Sequence, residues 1–111
     1  MPDAFVRMRL GEKRPVYAQV TAASGTLTIN GTPTCTLYDA SDTAVPGFIG
    51  ASVTGYDVGA QTAPRVWYNL DTGNLAPGFY TLVFRFQVLA SDGMTRVYEP
   101  VIEIQITRSP D

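Results

Sequence analysis

The chain is expected to fold as an all-β sandwich of about seven to eight antiparallel strands, and three observations carry that expectation. Short segments rich in Val, Ile, Thr, Tyr and Phe alternate apolar and polar residues and are bounded by Gly, Pro, Asn and Asp. No stretch shows an apolar repeat at helical spacing. At 111 residues and 45% hydrophobic content, residues 1–111 suffice for a single domain with one core.

The elements follow in order. Phe5 to Leu10 opens the sheet, and Gly11-Glu12-Lys13 turns. Pro15 begins a strand in which Val16, Ala18 and Val20 share one face while Tyr17 and Gln19 take the other. Ser24-Gly25 breaks it. The segment Thr26 to Ile29 meets Asn30-Gly31, expected to be a tight turn because both residues tolerate positive φ. Thr34 to Asp39 is the next strand, with Pro33 marking an edge or entry position. Ala40 to Gly50 and Asp57 to Pro64 read as loops around a weak strand, Ala51 to Tyr56. Val66, Tyr68 and Leu70 alternate clearly with Trp67 and Asn69. After a corner over Asp71 to Gly78 comes a long strand with Tyr80, Leu82, Phe84 and Phe86 on one face. Ser91-Asp92-Gly93 turns into a return strand, Met94 to Arg108. Pro100 interrupts it, since proline cannot donate to a ladder, which suggests a bulge or edge, and Ile102, Ile104 and Ile106 share a face with Glu103 and Gln105 opposite.

The corner narrows the class. In immunoglobulin-like sandwiches a tyrosine opens strand F and ties its hydroxyl to backbone upstream at the E–F corner. Pro77-Gly78 supplies such a corner, so Tyr80 is expected to be largely buried with its hydroxyl bonded near Asp71 to Leu75. Two residues after it, where the second disulfide cysteine of antibody domains falls, stands Leu82. Cys35 is the single cysteine, so there is no intramolecular disulfide, and alternation places it beside Leu37 as a small buried hydrophobe.

Several residues carry a resemblance to a known family. Leu27 to Asp39, then Gly78-Phe79-Tyr80 through Phe84, then Asp92-Gly93, then Val101 to Ile106 follow one another in a characteristic order. It resembles that of immunoglobulin-like domains of bacteriophage virion proteins and is similar to the N-terminal domain of phage baseplate upper proteins. The resemblance implies a non-enzymatic structural component of a neck, tail, baseplate or capsid surface. Its partners would be other virion proteins and further copies of itself, and it would assemble in the host cytoplasm. A disulfide-free core suits a reducing compartment.

Composition argues against other classes. Eight basic and ten acidic residues give a net charge of −2, and the loose group Arg7, Arg9, Lys13 and Arg14 is too small for a nucleic-acid face. No apolar run approaches a membrane span, and with Asp3, Arg7 and Arg9 among them the first ten residues are not expected to be a secretory h-region or a transit peptide. With no histidine, a serine or cysteine nucleophile lacks its commonest base, so no enzymatic activity is expected. Asp39 and Asp42 lack the glycine and glutamate of a calcium loop and suit turn-making instead. The loop glycines Gly47, Gly50, Gly55 and Gly59 are followed by no phosphate-loop lysine. No metal or cofactor is expected.

Aromatic and apolar residues at outward positions are the better lead. If Tyr68 and Leu70 face the core, Trp67 faces out, and Phe79 does so if Tyr80 faces in. Val83 follows Phe79 on the same outward face. Exposed aromatics anchor protein interfaces, so Trp67, Phe79 and Val83 are expected to form one protein-binding patch. Phe48, beside Ile49 in a glycine-rich loop, is either a loop tip meeting a partner or a plug closing the sandwich end. The alternative reading is a module binding carbohydrate or a cell-surface polymer, with Trp67 and neighbouring aromatics as the stacking platform.

Overall fold

The computed structural model describes residues 4–108, and every regular element among them is a β-strand. The strands are β1 (Ala4–Arg9), β2 (Lys13–Gln19), β3 (Leu27–Tyr38), β4 (Ala51–Ser52), β5 (Gly55–Tyr56), β6 (Ala60–Gln61), β7 (Arg65–Asp71), β8 (Gly78–Ala90), β9 (Thr95–Tyr98) and β10 (Val101–Thr107). They form a seven-stranded sheet of order β1-β10-β8-β3-β4, joined by β6 on β3 and β9 on β8, and a three-stranded sheet of order β2-β7-β5. This is an immunoglobulin-like sandwich. Its first and last strands share one sheet while β2 crosses to the other.

That crossing brings a departure from an all-antiparallel fold. β1 runs parallel to β10, with Val6 opposite Ile104 and Met8 opposite Ile106. The remaining ladders are antiparallel.

β8 organises the large sheet. Its first half pairs with β10 and its second half with β9, and Pro100 lies between the two partners. Proline has no N–H to offer there, but its carbonyl accepts from the Phe84 amide at 3.0 Å. On the other side β3 pairs along nearly the whole of β8, which overrides the expected turn at Asn30-Gly31. Leu27–Asn30 lies against Gln87–Ala90, Thr34–Tyr38 lies against Thr81–Arg85, and the register shifts between Asn30 and Thr34. The turn chemistry is spent on a bulge, in which Gly31 holds φ 75°. Pro33 falls inside that bulge and not at an edge, where a missing donor is harmless.

The weak strand at Ala51 to Tyr56 divides between sheets. β4 pairs with β3 in the large sheet, and β5 pairs with β7 in the small one. The loop after it contributes β6, which pairs with Leu27 and Thr28.

Between the sheets lies the expected core. Leu82, Phe84 and Val88 of β8 meet Ile102, Ile104 and Ile106 of β10 and Val16, Val66 and Leu70 of the small sheet, all fully or almost fully buried. Cys35 is buried beside Leu37, and burial pushes its thiol up to about 12. The tyrosine corner is present in modified form. The Tyr80 hydroxyl donates to the Ala76 carbonyl at 2.8 Å, one residue beyond the expected segment, and the side chain is half-buried, not largely buried. The bond spans four residues at the rim of the sandwich, so the ring edge stays open to solvent.

A second tie at this end was not foreseen. Thr72 is fully buried, and its hydroxyl lies 2.8 Å from the Arg9 carbonyl and 2.9 Å from that of Glu12. It locks the corner between β7 and β8 to the turn between β1 and β2. Asp39 serves its turn as expected, its carboxylate accepting from the amides of Ser41 and Thr43.

Candidate functional site

Alternation along β8 sends Phe79, Val83, Arg85 and Leu89 away from the core, onto the outer face of the large sheet. Phe79 is 59% exposed, and Val83 is half-buried between its strand neighbours. The register supplies their surroundings. Val101 of β10 and Thr36 of β3 flank Val83, while Gln105 of β10 and Arg7 of β1 lie in the row of Phe79. Between these rows run Phe5, Glu103, Thr81 and Tyr38. Phe5, Val97 and Leu89 are also exposed on this face. Sequence reasoning missed Phe5 and Val97. The alternation of Phe5 with buried Met8 through Val6 was a usable signal, whereas β9 is short and its partner half of β8 was not identifiable.

Trp67 is elsewhere. It projects from β7 on the outer face of the small sheet, so the core separates it from Phe79 and Val83. The expected single patch is therefore two surfaces on opposite sides of the molecule. Trp67 is also half-covered by its own chain. Opposite it stand Tyr17 on β2 and Gly55 on β5. The Tyr17 ring centre is 5.7 Å away at a tilt of 48°, and Gly55 leaves room for the indole to lie against the edge strand. A Cβ at residue 55 would stand 2.6 Å from Trp67 Cζ2.

Arg65 completes this cluster. Its guanidinium sits 5.3 Å from the Tyr17 ring centre and 5.9 Å from that of Trp67, within cation–π range. Asp57 holds it there, accepting from Arg65 Nε at 3.1 Å and from the Arg65 amide at the same distance. The Arg65 hydrogen bond keeps the Asp57 carboxyl below its ordinary range. The two rings are thus tilted against each other with the Arg65 cation over both.

Phe48 packs inward as the plug of the two options. Its ring meets Tyr68 edge-to-face at 6.4 Å, and its carbonyl accepts from the Leu37 amide. Ile49 beside it is 62% exposed. Phe48 is thus half-buried at this end of the sandwich, with its ring against Tyr68.

The arginine-rich segment around the β1–β2 turn is largely engaged in local structure. Arg14 donates to the Arg7 carbonyl and pairs loosely with Glu12, and Arg7 donates to Gln105. A shallow cavity of about 360 Å³ beside the β3 bulge is lined by Asn30, Thr32, Thr34, Arg85 and Gln87. Among the described residues no group of three or more Cys, Asp or Glu side chains is placed to hold a metal ion, and no helix is long and apolar enough to cross a membrane.

Neither the family models nor the curated proteins compared with the chain give a match. Among solved structures the chain is similar to CopC from Methylosinus trichosporium OB3b, at a TM-score of 0.41 and 19% identity over 95% of this chain and 87% of that one.

Proposed function

We propose that this protein is a non-enzymatic, immunoglobulin-like structural module of a bacteriophage virion that acts through protein–protein contacts. The observation that carries the reading is the outer face of the large sheet, which bears Phe79 at 59% exposure and Phe5 at 54% together with the half-buried Val83 and Tyr38. Isolated exposed apolar residues need no explanation, but Phe5, Phe79, Leu89 and Val97 exposed together on one rigid sheet face, interspersed with Arg7, Thr81, Glu103 and Gln105, support reading it as a mixed interaction surface. The resemblance of the segment order to phage virion modules supplies the setting. A buried, unreactive thiol and a core without disulfides are compatible with assembly in a reducing host cytoplasm.

Mass spectrometry of particles induced from the strain that encodes the chain tests the assignment. The protein is expected in purified particles at a fixed copy number relative to the major structural proteins. Expression in the cell without incorporation into particles removes the virion role. The carbohydrate reading is less well supported, because Arg65 occupies the aromatic pair on which it depends.

A further inference from the structure

We infer that the outer face of the large sheet is a self-complementary surface that pairs with the same face of a second copy of this chain; the inference rests on the reading of that face as an interaction surface. Three observations point to a copy of the chain as the occupant. The first is shape. β1, β10, β8, β9 and β3 present a sheet face with outward side chains from Phe79 to Leu89, and sheets of this kind pack face to face through interdigitating side chains.

The second is charge. Between the Phe79 row and the Leu89 row the outward charged groups are Arg7, Arg85, Glu99 and Glu103, two of each sign, with Arg85 and Glu99 already 3.7 Å apart. Such a face carries both signs and is close to neutral, with Arg9 one row beyond Arg7 on β1. It gains little from a strongly acidic or basic partner, whereas a two-fold arrangement can place the arginines of one copy near the glutamates of the other. Closed two-fold pairing through one shared patch is the commonest form of self-association.

The third is area. β8 carries its outward residues over about 34 Å, with three or four strands spaced about 4.8 Å apart beside them. The face therefore offers about 600 Å² per copy, so that a pair buries about 1,200 Å², the low end of specific interfaces. Pairing of that size is expected to be modest, with function coming from repetition of the module in an assembly.

Analytical ultracentrifugation of the full chain up to about 100 μM reads the pairing directly, in the range where an interface of this size populates a dimer. A reversible dimer is expected. Phe79→Asp and Val97→Asp, at opposite ends of the face, should each weaken it roughly tenfold or more while leaving the thermal midpoint unchanged. Val58→Ser, at a side chain 70% exposed outside this face, serves as the control and should pair like the parent chain. A chain that stays monomeric throughout, or a dimer as tight in both face variants as in the parent, overturns the inference. Pull-down of disassembled particle proteins separates this failure from that of the proposed function. Capture by a monomeric chain that Phe79→Asp weakens leaves the virion role standing without self-pairing. A dimer through this face in a chain absent from particles leaves the pairing standing without the virion role.

Discussion

Replacing Thr72 with valine tests the tie between the two chain reversals at one end of the sandwich. The change keeps the buried shape and removes only the hydroxyl that lies 2.8 Å from the Arg9 carbonyl and 2.9 Å from that of Glu12. Its cost follows from what those acceptors retain. The Arg9 carbonyl still accepts from the Glu12 amide at 3.1 Å, and the Glu12 carbonyl still accepts from the Thr72 amide at 3.0 Å. Neither is orphaned, so the full penalty of a stranded buried group does not apply. The loss is one shared hydrogen bond in a fully buried site, about 1–2 kcal/mol. In a domain of this size that lowers the thermal midpoint by about 4–8 °C. Differential scanning calorimetry measures it, with Thr72→Ser as the paired variant that keeps the hydroxyl and loses a methyl. A midpoint unchanged by Thr72→Val would refute the argument that the hydroxyl is what joins the reversals.

Tyr80→Phe should cost about 1 kcal/mol in denaturant melts, since its one hydroxyl bond, to Ala76, is at the rim and the carbonyl it leaves is open to water; a loss of several kcal/mol would mean that the ring edge is buried. Cys35 should react slowly with thiol reagents in the native state and quickly after unfolding. Its folded thiol titrates at about 12 against an ordinary 9.0, so its contribution to stability is fully present below pH 9 and declines as pH rises toward 12. Comparing the alkaline stability slope of the parent with that of Cys35→Ala isolates this part, and identical slopes would count against it. Gly55→Ala should displace the Trp67 indole and shift its fluorescence to the red, with a destabilisation of about 1–3 kcal/mol from overpacking. An unchanged spectrum would mean that the edge strand yields instead of the ring.

Much of the fold was legible because alternation in β7, β8 and β10 is unbroken. Val66 and Leu70, Leu82 through Phe86, and Ile102 through Ile106 share faces as read, and those faces point inward. Misreadings occurred where a tertiary partner outweighs a local preference. Asn30-Gly31 is a strong hairpin pair in isolation, yet the 13 residues of β8 pair with both flanking segments and hold them in one strand. Nothing within a few residues of Asn30 encodes the length of β8. Thr72 gave no signal at all, because a threonine in a polar corner is indistinguishable from a solvated one until the partner carbonyls from Arg9 and Glu12 arrive from 60 or more residues away.

The candidate surface shows what alternation alone leaves open. A period of two separates inside from outside, but outside is two faces in a sandwich, and Trp67 and Phe79 were joined because both point away from the core. The corner between them carries the missing information. A tyrosine corner exists where the chain leaves one sheet and enters the other, so strands on its two sides belong to different sheets. Tyr80 bonded to Ala76 therefore already requires outward residues of β7 and outward residues of β8 to lie on opposite sides of the molecule. Trp67 then had to find cover within its own three-stranded sheet, and the glycine across the ladder, the tilted Tyr17 ring and the Asp57-anchored Arg65 provide it. Phe79 has no such neighbour in its row, where Gln105 and Arg7 bond to each other, and that difference in local cover is why its ring stays exposed while the indole of Trp67 is half-covered.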